Sequence, residues 1–357
     1  MRQLMLLLLV CIPLSSFSQQ LKAGFDADEY LSLLKLPQQN DSSAQAFTSK
    51  DFKLLYVSPE VGLFNKWFLW KRSDGVGVIV IRGTVGRMES WLANFYAAMI
   101  PAKGSMQLND STRFDYQLAA DTAKAYVHVG WTISLGHMAP TMVRKIKELY
   151  AQGSRQFIIM GHSQGGAIAF LTRSYFEYNP ELPKDIVYKT YCSAAPKPGN
   201  LFYAYDFDFI TRLGWGFRVV NSEDWVPETP FSLQTLKDFN DVNAFMNVPG
   251  MLKKQKFFVR VYGKSVYNKL NRVSQKSMKR FRRTLGKRVG MLVKRTLKQL
   301  QTPPYTYSNN YMTAGTPVIL LADSTYHTKY KFDGKNVFVH HMFEPYIDLL
   351  TRRYGLK

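Results

Sequence analysis

Short apolar runs alternate along this chain with longer stretches whose apolar positions recur every three to four residues. From residue 52 the pattern turns sheet-like. WFLW at 67–70, the turn SDG at 73–75 and VGVIVI at 76–81 predict two strands joined by a hairpin. FIIM at 157–160, IVYKTYC at 186–192 and FRVV at 217–220 predict three more strands. Helical periodicity predicts helices over 27–35, 88–99, 114–127 and 167–178, and over TMVRKIKELYAQG, which ends on Gly153. Apolar strands alternating with helices predict an α/β fold with a mostly parallel central sheet flanked by helices.

Composition bounds the class. The 357 residues are 46% hydrophobic and 20% charged, enough for one large globular domain. Two cysteines exclude a disulfide-stapled scaffold and a four-cysteine zinc site. At the amino terminus Arg2 precedes an apolar run over 4–12, Pro13 breaks it, and Ser16 and Ser18 supply a small-x-small cleavage site. This predicts a signal peptide over 1–18, a single domain over 19–357, and a secreted or periplasmic protein. A lipoprotein reading of Cys11 fails because Val10 stands where a small residue is needed. Cleavage leaves Cys192 alone, in an apolar run that predicts burial.

The charge is uneven. The chain has 47 Lys+Arg against 26 Asp+Glu, a net +21. Residues 251–300 hold 17 of those cations and no Asp or Glu, so the rest of the chain is close to neutral. This insertion begins strand-like (FFVRVYG) and turns helical, with Met278, Phe281, Leu285, Val289, Leu292 and Leu297 at spacings of three to five. Either it contacts an anionic membrane surface, or it packs on the domain with a solvated basic face. Nucleic-acid binding would need a recognisable module or a basic groove with stacking aromatics, and the block is amphipathic instead.

Candidate chemistry centres on Gly161-His162-Ser163-Gln164-Gly165, a G-x-S-x-G string between a predicted strand and a predicted helix. A sharp turn there exposes the Ser163 hydroxyl, and small residues at 161 and 165 keep the backbone from colliding. A serine hydroxyl is inert without a base, and the base needs an orienting partner. Among downstream acids Asp224 lies just after the strand FRVV, in a loop held by Pro227, with Glu223 its immediate rival. Three histidines follow, His327, His340 and His341, and the latter two end the strand-like VFV. His162, His128 and His137 read as structural. An oxyanion hole needs the N–H of Gln164 and a second donor from a loop after an earlier strand, where Thr84 stands in Arg82-Gly83-Thr84. The segment 85–100 is apolar on one side and reads as core or as a lid. His and carboxylates nowhere group at ligand spacing, so no metal or cofactor is expected.

These residues resemble the class 3 lipase family, the fungal-lipase-like α/β-hydrolases. The blocks that carry the resemblance are VIVIRGT at 78–84, SWLANF at 90–95, IIMGHSQGGAIA at 158–169, SAAPKPGN at 193–200 with RVVNSEDWVP at 218–227, and HHMFEPY at 340–346. The resemblance implies an α/β-hydrolase fold, Ser163 as nucleophile, Asp224 as the acid, and Thr84 with Gln164 as the oxyanion hole. In that family the catalytic histidine stands five residues before a tyrosine, which selects His341 through Tyr346, with His340 the alternative. It also implies a lipid ester substrate at a membrane or droplet surface, triacylglycerol by default. Phospholipase A1 or another esterase on anionic lipid is the alternative, and a non-catalytic membrane-associated protein the remote one. The leader points to a secreted bacterial member. The interval between Asp224 and His341 is longer than the family needs, and the resemblance does not interpret 251–300.

Overall fold

The computed structural model describes residues 21–37, 41–120, 124–245 and 247–356, so the expected signal peptide at 1–18 lies outside the described residues. A seven-stranded sheet forms the centre, its strands side by side in chain order. They are β1 (Phe52–Val57), β2 (Trp67–Arg72), β3 (Gly77–Ile81), β4 (Gln156–His162), β5 (Val187–Ser193), β6 (Gly216–Asn221) and β7 (Thr316–Leu320). The first two pairings are antiparallel and the remaining four parallel. Parallel neighbours need crossover connections, and helices supply them. This is the α/β-hydrolase arrangement, a mostly parallel sheet flanked by helices.

The main helices are α1 (Ala27–Leu34), α2 (Met88–Phe95), α3 (Val129–Ala151), α4 (Gln164–Tyr178), α5 (Leu201–Ile210), α6 (Phe257–Phe281), α7 (Val289–Thr296) and α8 (Phe343–Tyr354). They bury both faces of the sheet. Trp67, Leu69, Ile79, Ile81, Phe157 and Ile159 enter one core with α3 and α4. Phe68, Trp70, Val78, Val80, Ile158 and Met160 enter the other with α1 and α8. The alternation explains why these strands read as continuous apolar runs rather than as polar-apolar alternation. Each such side chain contributes roughly 1.5–3 kcal/mol on burial. Cys192 is buried in β5 as a free thiol, its pKa pushed up by desolvation.

Several elements differ from the sequence reading. Residues 114–117 and 126–127 lie in strands rather than in a helix. Thr112–Gln117 pairs antiparallel with Lys103–Asn109, Phe114 and Tyr116 turn inward, and Arg113 and Asp115 face water. That is a period of two, which overrode the helical count. Helix α2 stops at Phe95, since 99–101 pairs with 126–128. FFVRVYG opens helix α6, although its residue types favour strands. Among the described residues it pairs with no strand, and its side chains are almost all exposed. VFV at 337–339 lies in turns before His340.

A π-helical turn over Arg282–Arg288 joins α6 to α7. Phe281, Leu285, Val289, Val293 and Leu297 fall every fourth residue. A helix of 3.6 residues per turn drifts by roughly 40° at each such step, and the extra residue of a π turn takes up part of the drift. Val293 is therefore buried where Leu292 was expected to be, and Leu292 faces outward.

Candidate active site

Ser163 sits between β4 and α4 with φ 62° and ψ −128°, a conformation that costs a non-glycine residue about 1–3 kcal/mol. The neighbouring glycines make it feasible. A Cβ at Gly161 would lie 2.1 Å from the carbonyl oxygen of Gly165, and one at Gly165 would lie 2.1 Å from that of Ile81 in β3. The turn is pinned from behind, because the Ser163 N–H donates to the Ser193 carbonyl at 2.9 Å. Its side chain makes no cap to the first turn of α4, so Gln164 opens that helix. First-turn N–H groups lack intrahelical partners and favour negative charge.

Three sequence-derived residues come together at this point. His341 Nε2 lies 2.7 Å from Ser163 Oγ, and His341 Nδ1 lies 2.7 Å from Asp224 Oδ2. Asp224 is buried and held by two further donors, the Val226 N–H at 3.0 Å to Oδ1 and the Tyr346 hydroxyl at 2.8 Å to Oδ2. A carboxylate so placed accepts from the imidazole and fixes its tautomer. The rivals lie elsewhere. Glu223 is exposed, and so is His327. His340 turns away, its Nδ1 against the Tyr326 hydroxyl at 2.8 Å and its carbonyl accepting from Asn221.

Thr84 follows β3 and is half-buried at the mouth of this arrangement. Its Oγ1 accepts from Asn94 Nδ2 at 2.9 Å, so its own hydroxyl proton is free to point elsewhere. Asn94 also accepts from the Gln164 side chain at 2.8 Å and from the Trp131 indole at 3.0 Å. One amide on α2 thus ties both donor candidates together. Sequence reasoning quoted Asn94 within SWLANF without giving it a task. A polar residue on the inward face of a short apolar helix was the available signal.

His162, read from the sequence as structural, is held beside the site. It is buried, and desolvation with the nearby His341 pushes its pKa down to about 3. The neutral ring donates from Nε2 to the His341 carbonyl at 2.7 Å. Its Nδ1 then accepts from Ser193 at 2.9 Å, and Ser193 in turn accepts from Tyr30 at 2.5 Å. An aromatic wall closes one side. The Phe338 ring lies 5.9 Å from His341 and bridges Trp91 and Trp225. Met88 and Phe95 of α2 are exposed on the same helix that carries Asn94. Among the described residues no group of three His, Cys, Asp or Glu could hold a metal ion.

Residues 78–234 match the lipase (class 3) family. Secreted mono- and diacylglycerol lipase 1 of Fusarium solani is 26% identical over 155 residues, which are 43% of this chain and 39% of that protein. The chain thus aligns with about two-fifths of this curated relative. A triacylglycerol lipase of Penicillium expansum is 17% identical, covering 58% of this chain and 75% of its own, with a TM-score of 0.45. For the triacylglyceride lipase of Rhizomucor miehei the values are 18%, 51%, 62% and 0.37. These relatives are fungal, which overturns the expectation of a bacterial member. The chain's similarity, over residues 78–234, is to the class 3 lipases.

Proposed function

We propose that the protein is a serine carboxylic-ester hydrolase acting on lipids, of the triacylglycerol lipase kind, through Ser163, His341 and Asp224. One observation carries the reading: a hydroxyl, an imidazole and a buried carboxylate stand in a single hydrogen-bonded row beside a helix N-terminus. The chemistry follows from it. His341 Nε2 takes the proton of Ser163 as Oγ attacks the ester carbonyl carbon. The carbonyl oxygen becomes an oxyanion, held by the N–H of Gln164 and by the N–H and hydroxyl of Thr84. The carbon–oxygen ester bond breaks, His341 returns the proton to the leaving alcohol, and an acyl-enzyme remains. Water then attacks the acyl carbon with His341 as base, which frees Ser163 and the carboxylic acid. Asp224, hydrogen-bonded to Nδ1, steadies the imidazolium at both stages.

The substrate class is supported by the exposed Met88, Phe95 and Trp225 around the aromatic wall, a surface suited to acyl chains. A phospholipid is favoured as second substrate by the basic block 251–300, which suits contact with an anionic lipid surface. Export through residues 1–18 fits both readings.

Parallel assays of short-chain esters, emulsified triglyceride and anionic phospholipid test the proposal in wild type and Ser163→Ala. The variant should fold normally and lose about 10⁵–10⁶-fold in kcat. Retained ester hydrolysis would falsify the assignment.

A further inference from the structure

The insertion divides into a half that is fastened and a half that projects. From Arg282 onward it is clamped beside the site. A Cβ at Gly286 would lie 2.8 Å from the Tyr305 ring, and one at Gly290 would lie 2.8 Å from the Tyr96 hydroxyl. Tyr96 and Tyr305 share a hydrogen bond of 2.6 Å, and Arg282 Nε donates to the Tyr305 carbonyl. Val293 and Met278 are fully buried. Tyr96 directly follows α2, the helix that carries Asn94, so the clamp joins the insertion to the segment beside Thr84 and Gln164.

The first four turns of α6 are different. At 3.6 residues per turn, Phe258, Val259, Tyr262, Val266, Leu270 and Val273 fall within an arc of about 120°. The inward side of the same helix, through Tyr267, Asn271, Ser274 and Met278, lies well outside that arc. Every member of the stripe is exposed: Phe258 is 83% accessible, Tyr262 75% and Leu270 68%. Toward the C-terminal end the stripe gives way to cations: Lys269 and Arg280 fall within its arc, Lys276 on its edge and Arg272 just outside, and all four are exposed. No acidic residue occurs anywhere in 251–300. An apolar stripe of this size without cover marks a binding surface. Its charge surroundings are complementary to an anionic partner and repel a second copy of the same basic helix.

We propose that this stripe docks the protein on an anionic phospholipid bilayer, with Phe258, Tyr262, Val266 and Leu270 in the acyl boundary and the four cations at the phosphates. The proposal rests on the lipid-hydrolase reading and adds to it the element that holds the enzyme at its substrate's surface. The clamp over Gly286 and Gly290 carries the bound orientation to α2, so docking and catalysis are mechanically joined but chemically independent. An amphipathic helix of this kind gains from apolar burial and from headgroup attraction together.

Sedimentation with vesicles of phosphatidylcholine containing phosphatidylglycerol, and of phosphatidylcholine alone, tests this with the full mature chain. Wild type and Ser163→Ala should bind the mixed vesicles equally and the neutral ones weakly. Phe258→Ser with Leu270→Ser should lower binding more than tenfold. Lys269→Gln with Lys276→Gln should lower it roughly 30-fold at low salt, and added salt should abolish the difference. Both double variants should hydrolyse a soluble short-chain ester at the wild-type rate. The proposal is overturned if the stripe variants bind as wild type, if both vesicle types bind alike, or if the stripe holds a dimer in solution that the variants dissociate. Absence of ester hydrolysis from a wild type that still binds vesicles sinks the hydrolase reading instead and leaves docking intact.

Discussion

A methyl group added at Gly165 would lie 2.1 Å from the Ile81 carbonyl oxygen, whereas one added at Gly263 would meet only the end of the Leu252 side chain, at 2.8 Å. The first neighbour is backbone in a central strand and cannot move without opening the sheet. The second is the free end of a flexible chain on an exposed helix. The same contrast runs through both regions. Around Ser163 the strand, the turn and the helix are each fixed by atoms a few ångströms away, so residue identity is nearly dictated. Along 257–270 only the pattern of apolar and basic positions is constrained, and many sequences would satisfy it.

Replacing each glycine by alanine is the sharpest way to break this comparison. Gly165→Ala should cost more than about 4 kcal/mol and leave little folded protein. Gly263→Ala should change stability by less than about 1 kcal/mol, in the stabilising direction, since alanine is the better helix former. Thermal unfolding of the two variants beside wild type reads both effects. A stable Gly165→Ala protein would mean that the elbow is looser than its geometry implies.

The same difference explains what was legible in the sequence. The strands β2 to β6 and the elbow were readable, because a two-sided core demands apolar runs and a sharp turn demands glycine. Ser163 and Asp224 stand where strands end, as the apolar runs before them led one to expect, whereas His341 was singled out only by the family resemblance through Tyr346, since the VFV before it is no strand. What failed was anything decided by distant packing. Residues 112–117 became a strand because a partner at 103–109 was available, and FFVRVYG, with no strand partner among the described residues, became a helix. Val293 replaced Leu292 in the core because a π turn shifted the phase. The task of Asn94 and the partners of His162 were not readable for a related reason. Their roles lie in hydrogen bonds to residues 10 to 179 positions away, which no local pattern encodes.

A smaller effect sharpens the comparison on the catalytic side. Thr84→Val removes the hydroxyl that Asn94 orients while keeping the backbone N–H. It should lower kcat on soluble esters by about 10²-fold with an unchanged melting temperature, and Thr84→Ser should retain most activity. Lys276→Gln, in the projecting helix, should leave the same kcat untouched. Equal rates for Thr84→Val and wild type would remove the hydroxyl from the oxyanion site and leave only N–H donors there.

The smallest predicted effect separates the two regions by pH. His128 and His162 are buried, and desolvation pushes both pKa values down to about 3, against about 6.5 in an unfolded chain. Between those values the unfolded state binds more protons than the native state, so stability falls as pH falls. Residues 251–300 contain no His, Asp or Glu, so they hold none of the side chains whose ordinary pKa falls near that window. The acid sensitivity therefore belongs to the catalytic half. At about pH 5.5 one such histidine should account for roughly 1 kcal/mol of lost stability. His162→Asn should accordingly show a shallower loss of melting temperature between neutral and mildly acid pH than wild type. Lys269→Gln with Lys276→Gln should follow the wild-type slope. An identical slope for His162→Asn and wild type would show that its ring does not gain its proton on unfolding. The neutral-ring assignment that lets Nε2 donate to the His341 carbonyl would then have to be abandoned.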